Sequence, residues 1–315
     1  MWKHASMPTD LNPESAMPRR YVTADVFTDM PFGGNPLAVV LDAEGLTDAQ
    51  MQAITREFGY SESTFVLPPR DPANTARVRI FTPTREVPFA GHPNVGTAVV
   101  LAREWARLGR ALPDQFLFEE GAGLVPVALQ QRDGVVVAAE LRAPERLAVG
   151  AMVAMQNAAE CLGLSPSDLR VDDHAPCIAS VGLPFLIVEL ASREALRRAR
   201  GDRSVHARVL RPIGIDGVYA YVRGEHEGDW HVRMFAPLDD MPEDPATGSA
   251  TAAMIALRTA LPGAGEGECT WRIHQGEDMG RPSRLFGRTM REAGEVTRVH
   301  VGGGAVVMMD GLLHL

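Results

Sequence analysis

The chain has 315 residues and a mass of 34.1 kDa, which is the size of two ordinary domains or of one large domain. Hydrophobic residues make up 45% and charged residues 23%, values that argue against disordered and fibrous proteins. The longest stretch without a charged residue, 87–102, has 16 residues and two prolines, so no transmembrane helix is predicted. With 31 basic and 40 acidic residues the net charge is −9, and we expect neither nucleic acid nor a membrane as a partner.

The basic residues exclude several cofactor mechanisms. Lys3 is the only lysine of the chain, and the other basic residues are all arginine. Schiff-base chemistry, lysine-anchored pyridoxal phosphate and a phosphate-binding P-loop need a lysine amine. Arginine cannot replace it because the guanidinium keeps its proton. These mechanisms are therefore nearly excluded.

The cysteines and the N-terminus indicate an intracellular protein. Cys161, Cys177 and Cys269 are too few and too irregularly spaced for a disulfide framework, and no C-x-x-C or H-E-x-x-H motif predicts a metal site. Residues 1–19 are polar and contain no apolar segment of signal-peptide length. We interpret them as a flexible leader and expect the protein in the cytoplasm.

The predicted elements are mostly short strands. In chain order, strands at 21–27 and 37–41 precede an amphipathic helix at 47–58, which has a capping box at Thr47 and Gln50 and a stop signal at Gly59. Strands at 61–66 and 77–81 then lead to a helix at 97–108 whose first half has no polar face. A second such helix is predicted at 250–257. Further strands are predicted at 116–119, 125–129, 134–141, 185–190, 217–222, 232–235, 270–274, 297–301 and 305–309. Two almost wholly apolar helices need sheets wrapped around them.

The chain also resembles itself at an offset of 154 residues. Arg79, Phe81, Pro83, Pro88, Thr97 and Ala98 correspond to Arg233, Phe235, Pro237, Pro242, Thr251 and Ala252. Chance matches of proline and phenylalanine are the alternative, but six identities in the same strand–loop–helix setting favour duplication. We therefore predict two similar domains of α+β architecture.

The repeat predicts a site where each apolar helix begins. Loops 90–94 and 243–249 bring small and polar residues to these two points. A helix N-terminus attracts anions because its first N–H groups are unpaired. If the two ends face each other, the cleft between the domains would bind a small carboxylate.

Several motifs resemble the phenazine-biosynthesis PhzF-like isomerase family. They are Phe32-Gly33-Gly34-Asn35-Pro36, Glu62 within 61–65, Gly91-His92-Pro93, the string 243–250, Gln275-Gly276, 280–283 and 301–303. The resemblance implies the diaminopimelate-epimerase-like fold: two pseudo-symmetric domains, each a curved, mostly antiparallel sheet wrapped around a central apolar helix. It places the N-terminal domain at 20–140, the C-terminal domain at 141–302 and a returning C-terminal strand at about 303–315. It also implies a cofactor-independent isomerase that forms a homodimer.

The same resemblance implies roles for particular residues. Glu62 matches the catalytic acid/base, and Asp244 and His92 match polar residues around the reacting group. The substrate-binding positions it suggests are Gly91, Ser249, Gly248, Asn94, Arg281 and Ser283; Asn94 stands where many members carry threonine.

Each of these residues also has a purely structural interpretation. An exposed glutamate paired with arginine is the alternative for Glu62, and helix capping is the alternative for Asp244. A histidine between glycine and proline, such as His92, more often has a structural role than a catalytic one. A single serine, such as Ser249, also more often has a structural role. Asn35 is by default a turn residue.

The repeat helps to distinguish proton transfer by two bases from proton transfer by one base. Racemases of this fold that use two bases carry a cysteine at the corresponding point of each half, and here those points are assigned to Ala90 and Asp244. Alanine cannot transfer a proton, which favours transfer on one face by Glu62. The function predicted is therefore a cofactor-free isomerase that moves a proton between carbons of a small carboxylate. The alternatives are an epimerase using Glu62 and Asp244, and a non-catalytic ligand-binding protein.

Overall fold

The computed structural model describes residues 18–239 and 241–315. Most of the predicted leader lies outside these residues, and Arg19 already belongs to the first strand. The strands of the described chain are β1 Arg19–Val26, β2 Asn35–Val40, β3 Glu62–Leu67, β4 Ala76–Phe81, β5 Glu86–Val87, β6 Gln115–Glu120, β7 Gly123–Arg132, β8 Val135–Arg142, β9 Ala148–Met152, β10 Cys177–Ser180, β11 Pro184–Glu189, β12 Val218–Arg223, β13 Asp229–Ala236, β14 Met241–Asp244, β15 Gly267–Gln275, β16 Ser283–Glu292 and β17 Glu295–Leu313. The helices are α1 Asp48–Phe58, α2 Gly91–Arg107, α3 Met155–Cys161, α4 Arg193–Arg198, α5 Arg203–Val209 and α6 Gly248–Ala260. The fold is mixed, with far more strand than helix.

The two halves of the chain repeat one series of strand pairings. In the first half β1–β2 is antiparallel, β2–β3 parallel, β3–β4 antiparallel, β4–β6 parallel, and β6–β7 and β7–β8 antiparallel. The second half gives the same series from β10–β11 through β16–β17. Each parallel pair needs a helical crossover. In the first half α1 and α2 supply the crossovers, and in the second half α4 with α5 supplies one and α6 the other. The repeat seen in sequence thus extends to topology.

The longest strand, β17, connects the two halves. Its first part pairs with β16 and β8, and its second part, from Ala305 to Leu313, pairs antiparallel with β1. All the strands therefore lie in one continuous sheet. The first and last strands of the described residues, β1 and β17, are therefore held together by backbone hydrogen bonds.

The two apolar helices are enclosed by strands, and both begin earlier than predicted. Helix α2 contacts β1, β2, β3, β7, β8 and β17, and α6 contacts β10, β11, β15, β16 and β17. Residues 91–94 form the first turn of α2, although the sequence was interpreted as a loop there. Pro93 is compatible with this first turn because the N–H groups of the first turn have no partner within the helix. Helix α6 likewise begins at Gly248 rather than Ala250.

Equivalent side chains make equivalent contacts in the two halves. The hydroxyl of Thr97 on α2 lies 2.8 Å from that of Thr64 on β3, and the hydroxyl of Thr251 on α6 lies 2.6 Å from that of Tyr219 on β12. These pairs tie each helix to the second strand of a parallel pair. Each hydrogen bond therefore helps to set the position of its helix relative to the sheet.

Helix α1 forms as the sequence predicted. Thr47 accepts from the Gln50 backbone while the Gln50 side chain accepts from the Thr47 backbone, and Gly59 ends the helix at φ 67°. Met51 and Ile54 are buried against the sheet.

Among the described residues, none of the helices is long and apolar enough to cross a membrane.

Candidate active site

Helices α2 and α6 begin side by side. A Cβ placed on Gly91 would lie 3.6 Å from the Gly248 Cα and 3.7 Å from the Ser249 nitrogen. The unpaired N–H groups of two helix ends are thereby concentrated in one place, which favours an anion. A largely apolar cavity of about 600 Å³ reaches this point and is lined there by Gly91, Gly248 and Ser249.

Glu62, the first residue of β3, lies next to these helix ends. Its side chain is 17% exposed, and its Oε2 lies 3.7 Å from the His92 Nε2 and has no hydrogen-bond partner. Burial raises the pKa of Glu62 to about 7, while the Ser61 hydroxyl acts in the opposite direction. A carboxyl group with a pKa near neutrality can both take and return a proton.

His92, in the first turn of α2, is buried and neutral. Burial lowers its pKa to about 4, although the charge of Asp244 acts against this change. The short distance to Glu62 is therefore not an ion pair at neutral pH. A neutral imidazole has one N–H to donate, and its Nε2 has no partner in the structure.

Asp244, at the end of β14, completes the group of buried titratable side chains. Burial and then the charge of Glu62 raise the pKa of Asp244 to about 7, whereas hydrogen bonds from Thr247 and Asn35 oppose the rise. Asn35 donates to Oδ1 at 2.9 Å and Thr247 donates to Oδ2 at 2.5 Å. Both oxygens of Asp244 thus have partners, unlike Oε2 of Glu62.

The loop that carries Asp244 is fixed by a buried glutamine. Gln275 donates to the Asp244 carbonyl at 2.8 Å and to the Thr247 hydroxyl at 3.0 Å, and it accepts from the Thr247 backbone at 3.0 Å. Gln275 and Thr247 were not predicted as site residues. The Gln275-Gly276 motif was the available signal, but only the fold shows that β15 brings it to this loop.

The other predicted substrate-binding residues have partners within the protein. Arg281 donates to the carbonyls of Gly33 and Gly34 and to Asp25, and the Ser283 hydroxyl donates to the Arg281 carbonyl. Of the predicted site residues, only Gly91, Gly248 and Ser249 line the cavity; Glu62, His92, Asp244, Asn94, Arg281 and Ser283 do not. Arg281 instead joins the loop before β2 to the loop before β16. Asn94 is buried in the first turn of α2, where its amide donates to the Ala90 carbonyl and its Oδ1 has no partner. Their contact with substrate remains a prediction.

The assigned equivalence of Ala90 and Asp244 does not hold at the helix starts. Ala90 is the N-cap of α2, whereas Thr247 is the N-cap of α6 and Asp244 lies three residues earlier. The offset of 154 applies to the helix bodies, and α2 has three additional residues before Thr97. Neither cap position is a cysteine. Cys161 and Cys177 are buried, unpaired thiols elsewhere in the second half.

Several solved structures share this fold. The fold resembles that of a PhzF-family protein of Bacillus anthracis, with a TM-score of 0.84 at 24% identity, covering 95% of this chain and all of that one. It also resembles that of a hydroxyproline epimerase of Agrobacterium vitis, with a TM-score of 0.62 at 14% identity, covering 94% and 91% of the two chains. At these identities the likeness concerns the fold alone.

The chain belongs to the phenazine biosynthesis-like (PhzC-PhzF) family, whose model matches residues 24–311. An uncharacterised isomerase of Mesorhizobium japonicum is 39% identical, and a trans-2,3-dihydro-3-hydroxyanthranilate isomerase of Pseudomonas chlororaphis is 37% identical. Each alignment covers 94% of this chain and 99% of the relative. A Pseudomonas aeruginosa structure described as a predicted epimerase is 34% identical, with a TM-score of 0.78 and coverage of 94% and 99%. The chain is an isomerase.

Proposed function

We propose that this isomerase moves a proton between carbons of a small carboxylate-bearing metabolite, with Glu62 as its acid and base and without a cofactor. The observation that carries the proposal is the Glu62 carboxyl group: it is buried, its Oε2 lacks a partner, and it stands beside two adjoining helix N-termini. The cavity is lined at this point by Gly91, Gly248 and Ser249 and not by Glu62, so the proposal requires the reacting carbon to pass the helix ends to reach the carboxyl group. The named relatives suggest a dihydro-hydroxyanthranilate-like compound as the first substrate to test.

The substrate carboxylate would bind at the N-termini of α2 and α6. Gly91 and Gly248 allow close approach because they have no side chain, and Ser249 adds a hydroxyl at the cavity wall. The largely apolar walls suit a ring or hydrocarbon body. His92 would donate to an oxyanion that develops on the substrate.

The hydrogen bonds favour one base over two. Both Asp244 oxygens accept hydrogen bonds from neighbouring side chains, so its carboxylate is held in place and is less free to reach a substrate carbon. The two-base alternative rests on the position of Asp244, whose pKa is raised by the nearby Glu62 charge. Ala90 contributes no second base at the cap of α2.

We further propose that the repeated halves are two pseudo-symmetric domains around α2 and α6, with the site between them and β17 returning to the first domain. The helix contacts and the duplicated strand pairings support this division. We also propose a cytoplasmic homodimer. Sedimentation of the purified protein would detect the dimer, and a monomer at all concentrations would contradict it.

Turnover in deuterium oxide tests the reaction. The protein is incubated with a panel of small unsaturated and hydroxylated carboxylates, and proton and deuterium positions are followed by NMR. Transfer by Glu62 alone predicts isomerisation in which part of the substrate's own hydrogen returns to the product. Inversion of a stereocentre with complete solvent label would instead support the two-base route, and binding without any turnover would contradict both.

The pH dependence follows from the ionisation of Glu62. The base form is needed to take a proton, so kcat/KM should rise about tenfold per pH unit below pH 7 and level off above it. Burial raises the pKa values of both Glu62 and Asp244 to about 7, and because the charge of Glu62 also raises the pKa of Asp244, the pair loses its two protons in separate steps. A profile that is flat between pH 5.5 and 8 would contradict the raised pKa.

A further inference from the structure

We propose that Asn35 is a positioning residue, which acts by holding the Asp244 carboxylate in a fixed orientation across the two halves of the site. The inference deepens the proposed function and rests on it for its kinetic consequences. Asn35 was expected to serve as a turn residue. The structure instead buries it completely at the start of β2, in contact with the Asp244 carboxyl group and with Ser61, the residue before Glu62.

Every polar atom of the Asn35 side chain has a partner in the site. Its Nδ2 donates to Asp244 Oδ1 at 2.9 Å and to the Ala246 carbonyl at 3.0 Å, and its Oδ1 accepts from the Ser61 hydroxyl at 3.1 Å. Ser61 directly precedes Glu62 in the chain. Asn35 therefore connects the backbone that carries Glu62 with the carboxylate of Asp244.

The direction of these hydrogen bonds requires an amide. Two acceptors, the Asp244 carboxylate and the Ala246 carbonyl, face the nitrogen, while a hydroxyl donor faces the oxygen. A carboxylate at position 35 would repel both acceptors, and an apolar residue would leave them unpaired in a buried place.

The contact joins parts of the chain that are distant in sequence. Asn35 and Asp244 are 209 residues apart, and Arg281 makes a parallel connection by donating to the carbonyls of Gly33 and Gly34. Hydrogen bonds thus connect the loop before β2 to the second half at two places. Asn35 makes the connection within the site, and Arg281 makes the one beside it. Arg281 donates to three acceptors in the first half, whereas the Asn35 amide makes the contact that reaches Asp244.

The test is Asn35→Asp, which changes one nitrogen to oxygen. Asp244 loses its amide donor and gains a like-charged neighbour, so it should keep its proton to higher pH. We expect kcat to fall about 10- to 100-fold with KM within about threefold, and the acidic limb of the kcat/KM profile to move upward by about one pH unit. Asn74→Asp is the matched control: Asn74 also donates to a carboxylate, that of Glu119 at 2.8 Å, but lies on the loop before β4 and contacts none of the predicted site residues named above. The Asn74→Asp variant should leave the acidic limb of the kcat/KM profile unchanged.

A second readout does not need turnover. The 13C carboxyl signal of Asp244, assigned by its loss in Asp244→Asn, should titrate about one unit higher in Asn35→Asp than in the parent protein. This separates failure of the inference from failure of the proposed reaction. If circular dichroism shows that Asn35→Asp does not fold, Asn35→Ser removes the same N–H donors and is measured in the same way. An unchanged Asp244 titration and acidic limb in a folded variant would overturn the proposal.

Discussion

Replacing Glu62 with glutamine is expected to lower kcat by about 10³-fold or more and to abolish exchange of substrate hydrogen with solvent. Glutamine keeps the shape of the side chain but cannot accept a proton from carbon. Because Oε2 of Glu62 has no hydrogen-bond partner in the protein, the substitution breaks no contact of that atom. Loss of activity would then report on proton transfer rather than on the fold.

The same variant should be more stable than the parent above neutral pH. Burial raises the pKa of Glu62 from its ordinary 4.5 to about 7, so the folded state binds this proton more tightly than the unfolded state. The contribution of Glu62 to stability therefore falls as pH rises from about 4.5 to 7. At pH 8 the neutral glutamine should gain about 1–3 kcal/mol in free energy of unfolding, measured by urea denaturation.

Glu120→Gln is the matched control for this experiment. Glu120 is another largely buried carboxyl group. Burial raises its pKa to about 8, and a hydrogen bond from the Asn94 side chain, which the amide oxygen of glutamine can still accept, opposes the rise. Its replacement should also stabilise the protein at high pH but leave kcat within about threefold of the parent. Full activity in Glu62→Gln, or equal loss in both variants, would show that Glu62 is not the base.

Replacing Arg233 with alanine is expected to cost about 3–5 kcal/mol in free energy of unfolding. The guanidinium is buried, makes two hydrogen bonds of 2.7 Å to Glu243, and donates to the carbonyls of Leu196, Arg197 and Ala199 at the end of α4. It also lies over the ring of Phe235 at 4.9 Å. Its removal leaves the Glu243 carboxylate without both of these hydrogen bonds and takes one donor from each carbonyl, although Arg200 and the Ala199 N–H still donate to them. Losing a buried charged partner in this way is far more costly than losing a surface ion pair.

The repeat provides the matched control, Arg79→Ala. Arg79 likewise makes two hydrogen bonds to a carboxylate, that of Glu86, and lies over Phe81 at 5.1 Å. Its remaining partner is the exposed Asp48 rather than helix carbonyls. We expect a loss of about 1 kcal/mol or less. Urea denaturation of both variants measures the difference, and equal losses would contradict the role of the α4 carbonyls.

Local signals in the sequence were sufficient for several elements. The capping box at Thr47 and the αL glycine at position 59 set the ends of α1, because caps involve residues close in sequence. The lack of a polar face likewise indicated that the helices beginning near Gly91 and Gly248 are buried. Motifs then pointed to Glu62, His92 and Asp244, which the fold places together.

Other features depend on contacts between distant segments. Residues 91–94 combine glycine, proline and asparagine, which are typical of loops, yet packing against the surrounding strands extends α2 through them. Arg281 donates to backbone carbonyls about 250 residues away, and no local sequence pattern predicts these hydrogen bonds. The position of Asn35 between Ser61 and Asp244 is of the same kind. At position 35 the sequence does not distinguish an asparagine that forms a turn from one that belongs to the site.

A crystal structure with an unreactive aromatic carboxylate bound tests the central claim most directly. The account predicts one carboxylate group within hydrogen-bond distance of the N–H groups where α2 and α6 begin, with the ring in the apolar cavity and Glu62 the nearest carboxyl group to a ring carbon. A ligand bound away from both helix ends, or seated there with Glu62 turned away behind other side chains, would contradict it.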